Sequence, residues 1–93
     1  MTTTQDLGEV TGTSAEWAER AHRVDGSVEE VHIFNDERRV REIVAFDRRA
    51  IERAQQYGAV CGLDGLTDAE IVSRTVTTYA TGHKLIGPWE VTE

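Results

Sequence analysis

Ninety-three residues with 39% apolar, 29% charged and a net charge of −7 have the composition of one small folded domain rather than a disordered chain. The acidic balance disfavours non-specific binding to nucleic acid or to a membrane surface. No apolar run approaches the ~18 residues of a membrane span, and "MTTTQDLGEVTGTS" lacks the basic and apolar regions of a secretory leader, so a cytoplasmic location is expected.

Residues 1–12 are polar and Thr-rich and read as a flexible N-terminus, ahead of a single domain over 13–93. "TSAE" (13–16) has the form of a capping box, and Trp17, Ala18, Ala21 and Val24 follow at helical spacing, predicting a short N-terminal helix that "DGS" (25–27) stops. "VEEVHIF" (28–34) reads as a strand, "NDERR" (35–39) as a turn and "VREIVAF" (40–46) as a second strand. The two strands form either a hairpin within the chain or, for 40–46, a ribbon with another copy. Asp47 then caps a helix running to about Cys61, with Ala50, Ile51, Ala54, Tyr57 and Cys61 as its apolar stripe and Gly62 as its stop. Cys61, the only cysteine, forms no internal disulfide and reads as a buried helix residue. "TDAE" (67–70) repeats the capping-box pattern and opens a second helix carrying Ala69, Val72, Val76 and Tyr79 to about Gly82. An apolar C-terminal tail, 83–93, holds a Gly87–Pro88 turn beside Leu85, Ile86, Trp89 and Val91. The expected class is α+β and mostly helical.

Charge is uneven along the chain. Residues 1–38 hold nine acids against three arginines, whereas Arg38, Arg39, Arg41, Arg48, Arg49 and Arg53 outnumber the acids within 38–53. His22, His32 and His83 are far apart and lack metal-ligand spacing, and no phosphate loop, nucleophile elbow or Cys/His pair is present. The expectation is therefore a protein that is not an enzyme and that needs no metal or cofactor.

The order strand, Phe46-Asp47, helix with Ala50, Ile51, Ala54, Tyr57 and Gly58, Gly62-Leu63, then Thr67, Glu70, Ile71, Val72, Val76 and Tyr79 resembles the ribbon–helix–helix superfamily of dimeric repressors. That resemblance covers residues 40–80, within an expected core of 40–82. It implies a homodimer in which two strands pair across a dyad, four helices interlock, and the ribbon enters the major groove of double-stranded DNA. In this frame Arg39, Arg41 and Ile43 would face bases, Thr67 would set a phosphate-facing helix start, and Arg48, Arg49 and Arg53 would contact the backbone. The function implied is a small DNA-binding transcriptional regulator. Three features strain the match: a long connection from Gly62 to Glu70, only two polar residues on the ribbon's outer face, and Glu42 directed inward.

A different class is open beside it: an acidic, non-catalytic interaction module, acting as accessory subunit or protein inhibitor. Glu9, Glu16, Glu19, Asp25, Glu29, Glu30, Asp36 and Glu37 of segment 1–38 would face a basic partner protein. Glu29 and Glu30 would supply charge, and Trp17 and Trp89 would be the anchors.

Overall fold

The computed structural model describes residues 8–57 and 65–92. Strand β1 (Val10–Arg23) turns into β2 (Val28–Phe34), and helix α1 (Glu37–Gln56) follows. Then come β3 (Leu66–Tyr79), β4 (Lys84–Ile86) and β5 (Glu90–Val91). The strands form one antiparallel sheet in the order β2-β1-β3-β4, with β5 also on β3, curled into a half-barrel. Of the described residues 51% are in strands and 26% in helix, so the mostly helical, two-helix expectation is corrected, and with it the ribbon–helix–helix dimer core.

Three elements differ from those expected, each for a physical reason. Residues 13–23 are strand rather than a short helix. Thr13 to Arg23 pair along β3, and the "TSAE" box lies within that ladder, Thr13 opposite Thr77 and Glu16 opposite Arg74. Residues 67–79 are likewise strand, not a second helix. Thr67, Ile71, Val72, Thr75, Val76, Thr77 and Thr78 are β-branched, and their stiff side chains favour a pleated surface over a helical one. Residues 40–46 are the interior of α1 rather than a strand. Val40, Val44, Asp47 and Ile51 recur at steps of four, three and four and share its buried face. The expected strand 28–34 is β2, and 47–56 is helical as read. Cys61, Gly62 and most of the predicted flexible N-terminus lie outside the described residues, although Val10–Gly12 already belong to β1.

The cap of α1 is Asp36 rather than Asp47. Its Oδ1 accepts from the amides of Arg38 (3.1 Å) and Arg39 (3.4 Å), and Glu37 in the first turn and Arg53 in the last complement the helix dipole. On the outer surface Glu37 pairs with Arg41 at 2.7 Å and Arg38 with Glu42 at 3.5 Å, at one-turn spacing.

The "DGS" segment is a hairpin turn. Gly26 at φ +88° donates to the Arg23 carbonyl, and Arg23 donates to that of Ser27. "TGH" repeats the geometry between β3 and β4, with Gly82 at φ +89° donating to Tyr79 and Tyr79 donating to His83.

Since β2 and β3 flank β1 and both run antiparallel to it, α1 must return across one sheet face to connect them. It lies over the half that holds Trp17 to Arg23. Val40 and Val44 pack with Ala69 and Ile71, bordered by Trp17 and Phe34; Ile51 packs with Ala21 and Leu66, bordered by Val31. The opposite face is a charged ladder: Arg20–Glu30 at 2.8 Å, His22–Glu70 at 2.6 Å and Arg74–Glu16 at 2.8 Å. Arg74 also lies over the Trp89 ring at 4.2 Å. Beyond Ala15 the strands continue without the helix, which stretches the molecule to 60 × 27 × 17 Å. Asp36→Ala should cost about 0.5–2 kcal/mol in urea unfolding by leaving two helix amides unpaired. An unchanged midpoint would move the start of α1 elsewhere.

Candidate functional site

Alternation along β1 puts Trp17, Glu19, Ala21 and Arg23 on the face that α1 covers. Three of these are compatible with an apolar seat, Arg23 by way of its alkyl stem. Glu19 is not, yet it is 1% exposed. Across from it, the buried stripe of α1 also carries one acid, Asp47, 7% exposed. These are the only buried polar residues among those described, and they meet each other.

Two carboxylates offer only acceptors, so Glu19 and Asp47 can hydrogen-bond to each other only with a proton on one of them. Glu19 carries it. Burial first, then the hydrogen bond to Asp47 and that residue's negative charge, push the Glu19 carboxyl up to about 8, against the opposing pull of Arg23 and Arg48.

The pair forms one wall of a cavity of about 280 Å³. Ala21 and Arg23 of β1, Val31 and His32 of β2, and Leu66 at the start of β3 complete it. His32 reaches the site through a bulge. Trp17 pairs with Phe34 and Glu19 with Val31, so His32 and Ile33 together stand opposite Ala18. His32 has φ +54°, the only non-glycine residue described with positive φ, and its Nε2 lies 3.8 Å from Glu19 Oε1. A histidine held in this backbone region at a cavity rim is strain of the kind that collects at functional sites.

Among the described residues, two buried side-chain atoms, Glu19 Oε2 and Arg23 Nη1, meet no partner apart from the proton that the Glu19 carboxyl shares with Asp47. Both residues line this cavity. The other Arg23 amino group, Nη2, is 3.3 Å from Glu29. A second cavity of about 250 Å³, between Arg48, Ile51, Glu52, Gln55, Thr67 and Asp68, holds no such atom. Among the described residues no group of His, Cys, Asp and Glu could hold a metal ion, and no helix is long and apolar enough to cross a membrane.

The residues expected to read DNA do not form a ribbon. Arg39 and Arg41 leave α1 outward, Arg39 over the Phe34 ring at 4.6 Å and Arg41 against Glu37. Ile43 is half-buried, and Arg49 and Arg53 are exposed. Arg48 donates from Nε to the Ala69 carbonyl at 2.9 Å. Thr67 caps no helix; its hydroxyl donates to the His22 carbonyl at 3.1 Å.

Most acids of the supposed negative face are engaged with neighbours. Glu16, Glu29, Glu30 and Glu37 pair with arginines, Asp36 caps α1, and Asp25 is held below the usual carboxyl range first by the Ser27 side chain and then by the Ser27 amide, which donates to its Oδ1. Glu19 is buried rather than exposed. Trp17 borders the core and Trp89 lies beneath Arg74, so neither anchor stands free.

Sequence reasoning missed Glu19, Arg23, His32 and Asp47 as a site. The available signal was Asp47 falling in the Val40, Val44, Ile51 stripe, visible only once the helix is extended back to residue 37. No family model, curated protein or solved structure matches the chain.

A carboxyl with folded value near 8 and ordinary value 4.5 binds its proton more tightly in the folded state. Its contribution to stability is therefore complete below pH 4.5 and is lost as pH rises through about 8. Between those limits the wild type should lose up to about 1.4 kcal/mol per pH unit relative to Glu19→Gln. Parallel stability profiles of the two proteins would mean that Glu19 does not hold the proton.

Proposed function

We propose that the protein is a small-ligand-binding domain whose ligand occupies the cavity between β1, β2 and α1. The observation that supports this is the coincidence of two buried, unpartnered polar atoms of opposite character, Glu19 Oε2 and Arg23 Nη1, in residues lining one cavity. Native interiors leave few such groups, since each costs ~1–3 kcal/mol. Two in one cavity are better placed to receive a ligand than to hold the fold. A volume of about 280 Å³ sits just under the ~300–1,000 Å³ common for drug-sized ligands, so the occupant is small.

If the acids serve a ligand, the fold should not need them. Replacing both Glu19 and Asp47 with Leu should leave the melting temperature unchanged or higher, as when buried ionic groups give way to apolar ones of similar volume. The same double variant should lose the amide shifts of Ala21, Val31 and Leu66 that a small-fragment library produces in the wild type. A double variant that unfolds would make the pair structural and remove the case for a ligand.

Shape favours a second reading, self-association. The radius of gyration is 17.6 Å, against roughly 12 Å for a compact domain of this length. The excess comes from the arm of β1, β3 and β4 beyond the helix, over which no helix lies among the described residues, although domains are normally built from two layers. From Val10 to Ala15 and from Thr75 to Ile86 the arm is Thr-rich and bears Lys84 as its only Lys, Arg, Asp or Glu. Leu85 and Ile86 are exposed there. Another copy could therefore cover it without the like-charge repulsion that a −7 chain otherwise carries. Sedimentation at micromolar concentration should show a dimer that Leu85→Asp returns to monomer. A wild-type monomer at all concentrations would exclude this second layer.

A further inference from the structure

We propose that the ligand is a small neutral molecule presenting an N–H donor beside a C=O acceptor, the edge of a lactam, a urea or a nucleobase. The inference rests on the ligand-binding reading of the cavity and specifies its chemistry. The groups facing Glu19 are Asp47 and Arg48 from α1, Arg23 on its own strand and His32 from β2, with Ile71 opposite it on β3.

The O–H of Glu19 is committed to Asp47, because that contact has no other proton. What Glu19 can still offer a ligand is lone pairs, so the ligand must donate there. Arg23 Nη1 is a donor only, so the ligand must accept there. A cation would satisfy Glu19 but would sit against Arg23 and Arg48, the two positive charges felt at that carboxyl. An anion would be drawn to Arg23 and Arg48, but it carries no N–H and would leave the Glu19 lone pairs without a donor. A neutral donor–acceptor edge meets both atoms with no charge penalty. Ala21, Val31 and Leu66 supply apolar wall for the rest of a small ring.

The test uses δ-valerolactam, with cyclohexanone as its near-isostere lacking the N–H, and pentanoate and piperidinium as the charged alternatives. Lactam at millimolar concentration should saturably shift the amide signals of Ala21, Val31, His32 and Leu66. Cyclohexanone should bind at least about tenfold more weakly, for want of the donor to Glu19. Glu19→Gln should keep lactam binding, since its amide can donate to Asp47 and its carbonyl can accept from the ligand. Glu19→Leu should lose it, and the double-leucine variant is the control should that protein not fold. Equal binding of lactam and cyclohexanone overturns the donor assignment. Saturation by pentanoate or piperidinium in place of lactam overturns the neutral class and leaves the cavity as a binding site. Silence from all four probes overturns the ligand reading itself.

Discussion

Strand β1 carries a neighbour on each edge over the half that matters most: β2 on one side from Trp17 to His22, and β3 on the other along nearly its whole length. Every other feature is referred to that strand. Its inward row seats α1 and brings Glu19 under Asp47, and its outward row anchors the Arg20 and Glu16 ion pairs. Because strand side chains alternate, a one-residue slip against β3 would exchange the two rows. It would put Arg20 and His22 beneath the helix and expose Ala21. The register is therefore held by burial of Trp17, Ala21, Ala69 and Ile71 on one side and by ion pairs on the other.

Within that frame the carboxyl pair is an expense the fold has no evident reason to carry. Ile51 with Ala21 and Leu66, and Val44 with Ile71, already pack α1 onto the sheet on either side of it. Apolar residues at 19 and 47 would join these two clusters into one continuous core. Instead the core is split where the cavity opens, and β2 is bulged so that His32 stands at the rim. Departures from local rules that converge on one place point to function more strongly than any one of them.

How much of this was legible depended on which signal was strongest locally. "VEEVHIF" has β-branched residues and little competing pattern, and it is the one strand read with correct bounds. Residues 47–56 were legible as helix from Ala50, Ile51 and Ala54. The start is misplaced because Val40, Val44 and Phe46 fall on one alternating set, as in a strand, until Val40 and Val44 are placed on a helical face. The reverse error at 13–24 and 67–80 came from Ser/Thr-x-x-Glu patterns that here lie within strands. In 67–80 the density of Thr, Val and Ile was the better guide. "DG" after Val24 was a hairpin signal that the assumed helix before it concealed. The site was hardly legible. Glu19 is one of 17 acids, and its burial arises only when residues distant in sequence are brought around it.

The central ladder joins residues far apart in the chain: Thr67 reaches His22 across 45 positions, and Thr11 reaches Thr78 across 67. The β1–β2 hairpin and the α1 helix are local and can form in microseconds, whereas pairing β3 with β1 requires closure of a long loop first. On a ribosome, β1 and β2 are complete well before residue 66 emerges. One side of a 14-residue strand then carries unpaired amides and carbonyls while the chain is still being made. That strand is low in charge from Val10 to Ala15, the stretch with least electrostatic protection against pairing with another nascent copy. The slow step of folding and the greatest exposure to aggregation thus fall on the same edge.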